Sequence, residues 1–301
     1  MSDDFVLRYG HASNKSVFQA RQNFTEAGFD ILSLCCTPVE ILCVGETLER
    51  ITHASGFFWK KDGAPYLVTN WHVASGRNPF TRQFLGKITP HRIRCFGRSL
   101  RLDNGVLNFS DRPIIIEWEE EMIELLSSPP IVDGEEVDIC AFPVLPDSVF
   151  GQNSVPDHEE ANRATCFLNE ATGNVRIKTG AGDECYILGY PLDTYQGLHL
   201  PIWKRGSISS DTNIGVMGKP MFLVDAATTD AMSGSPIVRR VKFSTSLDSS
   251  TGVIAESHAN QLVGVYAGRL LSKQLERINI GYGWYASMID KVIDYYHSRK
   301  A

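Results

Sequence analysis

Three short segments carry residues whose types and spacing point to chemistry. In the first, Tyr66-Leu67-Val68-Thr69-Asn70-Trp71-His72-Val73-Ala74, a buried-strand pattern ends in Thr-Asn-x-His-Val, which sets a histidine just past the strand end. That is a rigid perch for a general base. In the second, Val137-Asp138-Ile139-Cys140-Ala141-Phe142, one acid opens an otherwise apolar strand. Its carboxylate should lie at the margin of a core, where a donor must meet it. In the third, Asp230-Ala231-Met232-Ser233-Gly234-Ser235-Pro236-Ile237-Val238, a turn of small residues enters a strand. Such a turn can expose a hydroxyl and aim backbone N–H groups at one point.

In this order the three segments resemble the trypsin/chymotrypsin-like serine peptidases, in particular their compact bacterial branch. The segments in question are Ser55-Gly56-Phe57-Phe58 with Thr69-Asn70-Trp71-His72-Val73, Asp138-Ile139-Cys140-Ala141, and Ser233-Gly234-Ser235-Pro236. A lone Thr-Asn-x-His or Ser-Gly-Ser-Pro is a weak signal, but the ordered set is a strong one. The resemblance implies that His72 is the general base, that Asp138 fixes its tautomer, and that Ser233 is the nucleophile, with Ser235 in a non-catalytic place. It also implies an oxyanion hole from the N–H groups of Ala231 and Ser233. Serine is a weak nucleophile until a neighbouring neutral imidazole takes its proton, which is why these residue types must meet. Asp133, in a more exposed run, is the acid that competes with Asp138 for the assignment.

Two departures from the family pattern bear on function. Alanine stands at position 231, where the family usually has glycine, and an alanine with positive φ costs about 1 kcal/mol. The expectation is a hole unformed at rest, a latent enzyme, and an Ala231→Gly variant with higher basal turnover. Met232 stands where digestive members carry the acid that pairs with a freshly cut N-terminus, so activation by that kind of cleavage is not expected. By the same resemblance, Thr228, Tyr266, Arg269 and Gly283 line or border the primary specificity pocket, with Ala227 at its base and no acid to select Lys or Arg. Arg269 has two open readings, attraction of an acidic side chain or a position facing water.

The elements that must hold these residues read as strands. Short apolar or alternating runs recur at 39–44, 56–59, 66–69, 92–96, 113–118, 138–144, 185–188, 199–203, 221–224, 236–241 and 262–266. Their lengths and β-branched content favour strands in series without helical crossovers. The expected fold class is all-β, two antiparallel six-stranded β-barrels of the chymotrypsin-like kind with a C-terminal α-helix. In that helix Met288, Ile289, Val292, Ile293 and Tyr296 share one face behind Ser287, and it should pack on a barrel as a lid. Residues 119–126 are a short acidic helix or a surface excursion. The expected organisation is an N-terminal extension at 1–35, a first barrel at about 36–145, a linker at about 146–175, a second barrel at about 176–286 and the helix at 287–298, the peptidase domain running over 36–299. Phe5, Phe18, Phe24 and Phe29 suggest that the extension docks. The segments 147–173 and 245–260 read as a linker and a long hairpin loop.

Composition bounds the rest. The chain has 301 residues with 43% hydrophobic and 21% charged, which fits a folded protein with a sizeable core. A net charge of −6 leaves no basic excess for a nucleic-acid backbone. No run reaches the roughly 18 apolar residues of a membrane span, and the acidic start lacks a signal-peptide pattern. Seven cysteines, an odd number with no C-x-x-C pair, read as reduced core thiols in a cytoplasmic protein. Neither a nucleotide loop, nor H-E-x-x-H, nor a G-x-S-x-G elbow occurs, and the glycine pairs at 180–182 and 281–283 read as turns. The expectation is therefore a cofactor-free, metal-free serine endopeptidase acting on polypeptides, without nucleic acid or membrane, restrained by an activating or recruiting protein partner. The competing reading is a catalytically silent peptidase-fold scaffold, and an esterase would share the acyl chemistry.

Overall fold

Alternating and apolar β-branched runs pair into two large antiparallel sheets, with two small two-stranded ones, in the computed structural model, which describes residues 7–8, 17–18, 30–44, 49–86, 89–103, 106–144, 163–164, 166–172, 177–193, 199–229, 231–248, 253–270 and 280–300. The strands are β1 (Leu7–Arg8), β2 (Val17–Phe18), β3 (Cys36–Val44), β4 (Glu49–Lys61), β5 (Ala64–Thr69), β6 (Thr89–Asp103), β7 (Val106–Glu117), β8 (Ile131–Val132), β9 (Glu135–Glu136), β10 (Cys140–Pro143) and β11 (Arg163–Ala164). They continue with β12 (Glu184–Gly189), β13 (Ile202–Ile208), β14 (Met221–Asp225), β15 (Pro236–Asp248), β16 (Val253–Arg269) and β17 (Ile280–Tyr285). The helices are α1 (Ile31–Cys35), α2 (Trp71–Ser75), α3 (Glu120–Leu125), α4 (Leu168–Thr172) and α5 (Met288–Lys300). The chain is thus mostly β, as its patterning predicts.

The second half forms the expected closed barrel of six strands, in the order β12-β13-β14-β17-β16-β15. The first half is a half-barrel: β10-β5-β4-β3-β6-β11 in order, with β7 added on β6. Its seventh strand comes from a long hairpin in which β6 and β7 pair from Arg92↔Glu117 to Asp103↔Val106. Among the described residues β7 pairs with β6 and not with β10, so this sheet does not close.

Helix α5 follows β17 of the closed barrel yet docks on the first sheet. Trp59 Nε1 donates to Asp290 at 2.8 Å, the Tyr66 hydroxyl meets His297 Nε2 at 2.9 Å, and the Tyr296 hydroxyl reaches Cys140 Sγ at 3.4 Å. Ile289, Val292, Ile293 and Tyr296 are buried in the same core as Phe57 and Phe142. The apolar stripe read from the sequence is therefore the docking face, and burying it is worth about 1.5–3 kcal/mol per large side chain.

Three segments differ from the sequence reading. Residues 245–260 are mostly the paired arms of a hairpin, from Val238↔Leu262 out to Asp248↔Val253, because alternating Ser and Thr are at home in a solvated two-stranded ribbon. Within 147–173, Arg163–Ala164 joins the edge of β6, and α4 sits on β4 through reciprocal bonds between the Asn169 side chain and the Lys60 backbone, at 3.1 and 2.8 Å. Within the extension, Leu32, Leu34 and Cys35 are core residues, and Ser33 accepts from Trp203 Nε1 at 2.8 Å. Phe18 lies in β2, whereas Phe5, Phe24 and Phe29 lie outside the described residues. The acidic segment at 119–126 is helical as α3. All seven cysteines are buried thiols outside any disulfide, and burial pushes the Cys140 and Cys185 thiols up to about 12. Among the described residues no helix is long and apolar enough to cross a membrane.

Candidate active site

Strand register brings His72 and Asp138 together. β5 and β10 are antiparallel with Cys140 opposite Thr69, so residues just after Thr69 face residues just before Cys140. Asp138 is almost wholly buried and accepts twice from one residue: from His72 Nδ1 at 2.7 Å through Oδ2, and from the His72 backbone N–H at 2.8 Å through Oδ1. Asn70 Nδ2 donates to the Asp138 carbonyl at 2.7 Å, tying the two strand ends from the other direction. Helix α2 holds the imidazole, and it ends after one turn because Gly76 takes a left-handed φ of 67°. Asp133 is not near this pair; it bonds Lys291 of α5 at 2.5 Å.

The turn at 231–235 is bolted to both sheets. The Ser55 amide donates to the Ser233 carbonyl at 2.8 Å, and Gly234 N–H donates to the Tyr266 carbonyl at 2.9 Å. Gly234 has φ of 88°, and a Cβ there would lie 2.0 Å from the Ser55 carbonyl oxygen and 2.4 Å from Thr69 Oγ1. Only glycine fits. Met232 is fully buried in the second barrel, so its apolar side chain anchors the turn from behind. The Ser233 hydroxyl donates to the Ala267 carbonyl at 3.1 Å, and Ser233, Ala231 and His72 line one cleft.

Ala231 adopts φ of 69°, the left-handed conformation whose cost the sequence flags. The fully buried side chain of Ser55, which the motif includes without giving it a role, holds this turn. Ser55 Oγ donates to the Ala231 carbonyl at 2.8 Å and accepts from the Tyr190 N–H at 3.0 Å. Gly189, just before Tyr190, has no room for a Cβ, which would lie 2.0 Å from Ser235 Oγ and 2.8 Å from Ser55 Oγ. A buried serine in a strand next to Gly56 gives no sequence signal for this role, since its partners are 135 and 176 residues away and on backbone atoms.

Of the residues expected around a primary pocket, Thr228, Tyr266 and Gly283 are neighbours, Tyr266 bonding Thr228 and pairing with Gly283 across the strands. Thr228 and Tyr266 are buried, and their hydroxyls bond each other. Burial pushes the Tyr266 phenol up, opposed by the Thr228 hydroxyl and the Arg269 charge. Arg269 is exposed at the end of β16. Ala227 is exposed too, so it does not floor an enclosed pocket. A Cβ at Gly283 would lie 2.3 Å from Ile237 Cδ1 and 3.2 Å from Phe222 Cζ, so its backbone packs closely on the barrel core. The register explains this: Gly283 pairs with Tyr266 on β16 inside the closed barrel.

No curated protein matches this chain. A family model described as trypsin-like peptidase domain matches residues 54–242, a span that includes His72, Asp138 and Ser233. On that match, and on a fold of one closed six-stranded barrel beside a half-barrel, the chain belongs to the trypsin-like peptidase domain family.

Proposed function

We propose that this chain is a serine endopeptidase that hydrolyses peptide bonds through an acyl-enzyme, with His72, Asp138 and Ser233 as its catalytic residues and no cofactor. The observation that carries the reading is the double acceptance by buried Asp138 from His72, 2.7 Å to Nδ1 and 2.8 Å to the backbone N–H, in a cleft shared with Ser233. With the Nδ1 proton committed to Asp138, the Nε2 lone pair is free to act as base.

In this mechanism Ser233 Oγ attacks the scissile carbonyl carbon as His72 Nε2 takes the hydroxyl proton. The N–H groups of Ala231 and Ser233 receive the oxyanion, each such donor being worth on the order of 10²–10³ in rate. His72 then hands its proton to the departing amine, and water repeats the sequence on the acyl-enzyme. Resting-state restraint belongs to the proposal as well, because the Ser233 hydroxyl is engaged with the Ala267 carbonyl at 3.1 Å and must turn toward His72 to react. Polypeptide substrates, a soluble cytoplasmic setting and an activating partner complete the reading.

The test is hydrolysis of a denatured protein by wild type and Ser233→Ala, with circular dichroism on both. Loss of hydrolysis in a variant with an unchanged spectrum is the expected result. Equal hydrolysis by both proteins refutes the assignment, and no hydrolysis by either, under every condition tried, favours the silent scaffold.

A further inference from the structure

Two residues that carry a Cβ hold left-handed backbone in separate connections of the second half, His199 at φ of 50° and Ala231 at φ of 69°, and one run of hydrogen bonds joins them. We propose that Asp111 and His199 are positioning residues for the turn that carries Ala231 and Ser233, acting from the first sheet through Tyr190 and Ser55. The inference rests on the peptidase reading above and extends it to residues outside the triad.

Strand geometry sets the outer end of the run. β6 and β7 pair with Phe96 opposite Pro113 and Arg98 opposite Asp111, and alternate residues of a strand share a face, so Phe96 and Asp111 lie on the same side of the hairpin. Both meet His199 there. The imidazole stacks on the Phe96 ring, with centroids 4.3 Å apart and planes at 17°, and its Nδ1 bonds the Asp111 carboxylate. Phe96 is fixed in turn by its amide, which donates to the buried Thr37 hydroxyl at 2.8 Å. Asp111 is 4% exposed, so water competes little for this contact.

A ring held on two sides fixes the backbone that carries it. His199 keeps a conformation that a residue with a Cβ adopts only where its surroundings impose it, and this aims its carbonyl. That carbonyl accepts from the Tyr190 hydroxyl at 2.8 Å. The Tyr190 N–H donates to Ser55 Oγ at 3.0 Å, and Ser55 Oγ donates to the Ala231 carbonyl at 2.8 Å. Tyr190 and Ser55 are fully buried, so a link that opens leaves a polar atom with no water to take its place. Only one tyrosine and one serine side chain separate these bonds, so a displacement of His199 reaches Ala231 with little slack. Slack matters at that end: relaxation of Ala231 to an ordinary right-handed or extended φ would re-aim the peptide groups on both sides of it.

The full-length protein carrying Asp111→Ala or Tyr190→Phe, each with and without Ala231→Gly, tests the run. Tyr190→Phe removes one hydroxyl and keeps the buried ring, so it decides the matter if Asp111→Ala fails to fold. The readouts are the rate at which a fluorophosphonate modifies Ser233 and amide hydrogen exchange read by mass spectrometry. Each single variant should be modified on the order of 10-fold more slowly than the wild type. Exchange should quicken at Gly234 and Ser235, whose amides are bonded within the turn and to Tyr266, while the amides between β14 and β17 keep their protection. Adding Ala231→Gly should return most of the rate, since glycine holds positive φ unaided. A tie that only stabilises the protein would quicken exchange across the whole barrel and be indifferent to glycine at 231. Unchanged modification rates, losses of equal size in both backgrounds, or unaltered exchange at the turn overturn the inference and leave the peptidase reading standing. Failure of the fluorophosphonate to modify any form is a different result: it removes the peptidase reading, and exchange alone then decides whether Asp111 and Tyr190 hold the turn.

Discussion

The Ser55 hydroxyl donates to the Ala231 carbonyl at 2.8 Å, and this bond holds a non-glycine residue in a left-handed conformation at the candidate oxyanion site. Because Ser55 also accepts from Tyr190 at 3.0 Å, one buried strand residue of the first sheet fixes two backbone segments of the second barrel. Ser55→Ala leaves the Ala231 carbonyl without that donor, at a cost of about 1–3 kcal/mol in stability. Acylation of Ser233 should fall by at least about tenfold as the Ala231 N–H loses its aim. In an Ala231→Gly background the kinetic loss should shrink, since glycine adopts positive φ without the penalty of about 1 kcal/mol. Equal losses in the two backgrounds, measured by stopped-flow acylation, contradict this account of Ser55.

Ala231→Gly alone should raise both the urea midpoint and basal turnover. The backbone already occupies φ of 69°, so glycine relieves strain without demanding movement. An unchanged or lower turnover argues against any link between this position and latency.

Asp138→Asn keeps the size and burial of the side chain but offers an amide where His72 Nδ1 now donates. The imidazole is driven to the wrong tautomer, and kcat should fall on the order of 10³–10⁴ with KM little changed. A fall below about tenfold removes Asp138 from the proposed triad.

The strand ladder, the C-terminal helix and the segments that carry His72 and Asp138 were legible because each rests on local pattern: an acid opening an apolar run, a histidine closing one, a stripe of Ile289, Val292 and Ile293 at helical spacing. The pairing of His72 with Asp138 was implicit too, since antiparallel strands ending near these residues must present them to each other. What the sequence did not carry is long-range backbone chemistry. Nothing local marks Ser55 as the donor to a carbonyl 176 residues away, or Gly283 as packed on Ile237 inside the barrel. The half-barrel was hidden for a related reason. A run at 92–96 states that a strand exists, but it does not say how far β6 and β7 go on pairing with each other, out to Asp103↔Val106, nor which strand lies beside them. Likewise Leu168 and Asn169 read as linker because a five-residue helix has no periodicity to detect.

The docking of α5 on the first sheet gives a stability prediction. Ile293 is 2% exposed and borders a small apolar cavity of about 50 Å³ with Tyr66, Cys140 and Tyr296, so truncation enlarges a void that cannot hold well-bonded water. Ile293→Ala should cost about 2–5 kcal/mol by urea denaturation. A cost under about 1 kcal/mol indicates that the helix is not part of the cooperative unit.

Buried thiols predict alkaline behaviour. Burial raises Cys140 and Cys185 from 9.0 to about 12, so above pH 9 the unfolded chain releases protons that the folded chain retains. Stability from these groups is complete below pH 9 and is lost as pH rises toward 12. The urea midpoint should decline over that window, and DTNB should modify these cysteines only after unfolding. Rapid modification of Cys140 in the native protein at pH 8 contradicts the burial described.

The central claim is that Ser233 is an activated nucleophile. Its most direct test is reaction of the full-length protein with a fluorophosphonate at pH 7.5, beside Ser233→Ala, read by intact mass. The account predicts a single phosphonyl adduct on the wild type and none on the variant. An adduct that persists in Ser233→Ala, or a wild type that remains unmodified when an activating ligand or partner is supplied, contradicts it.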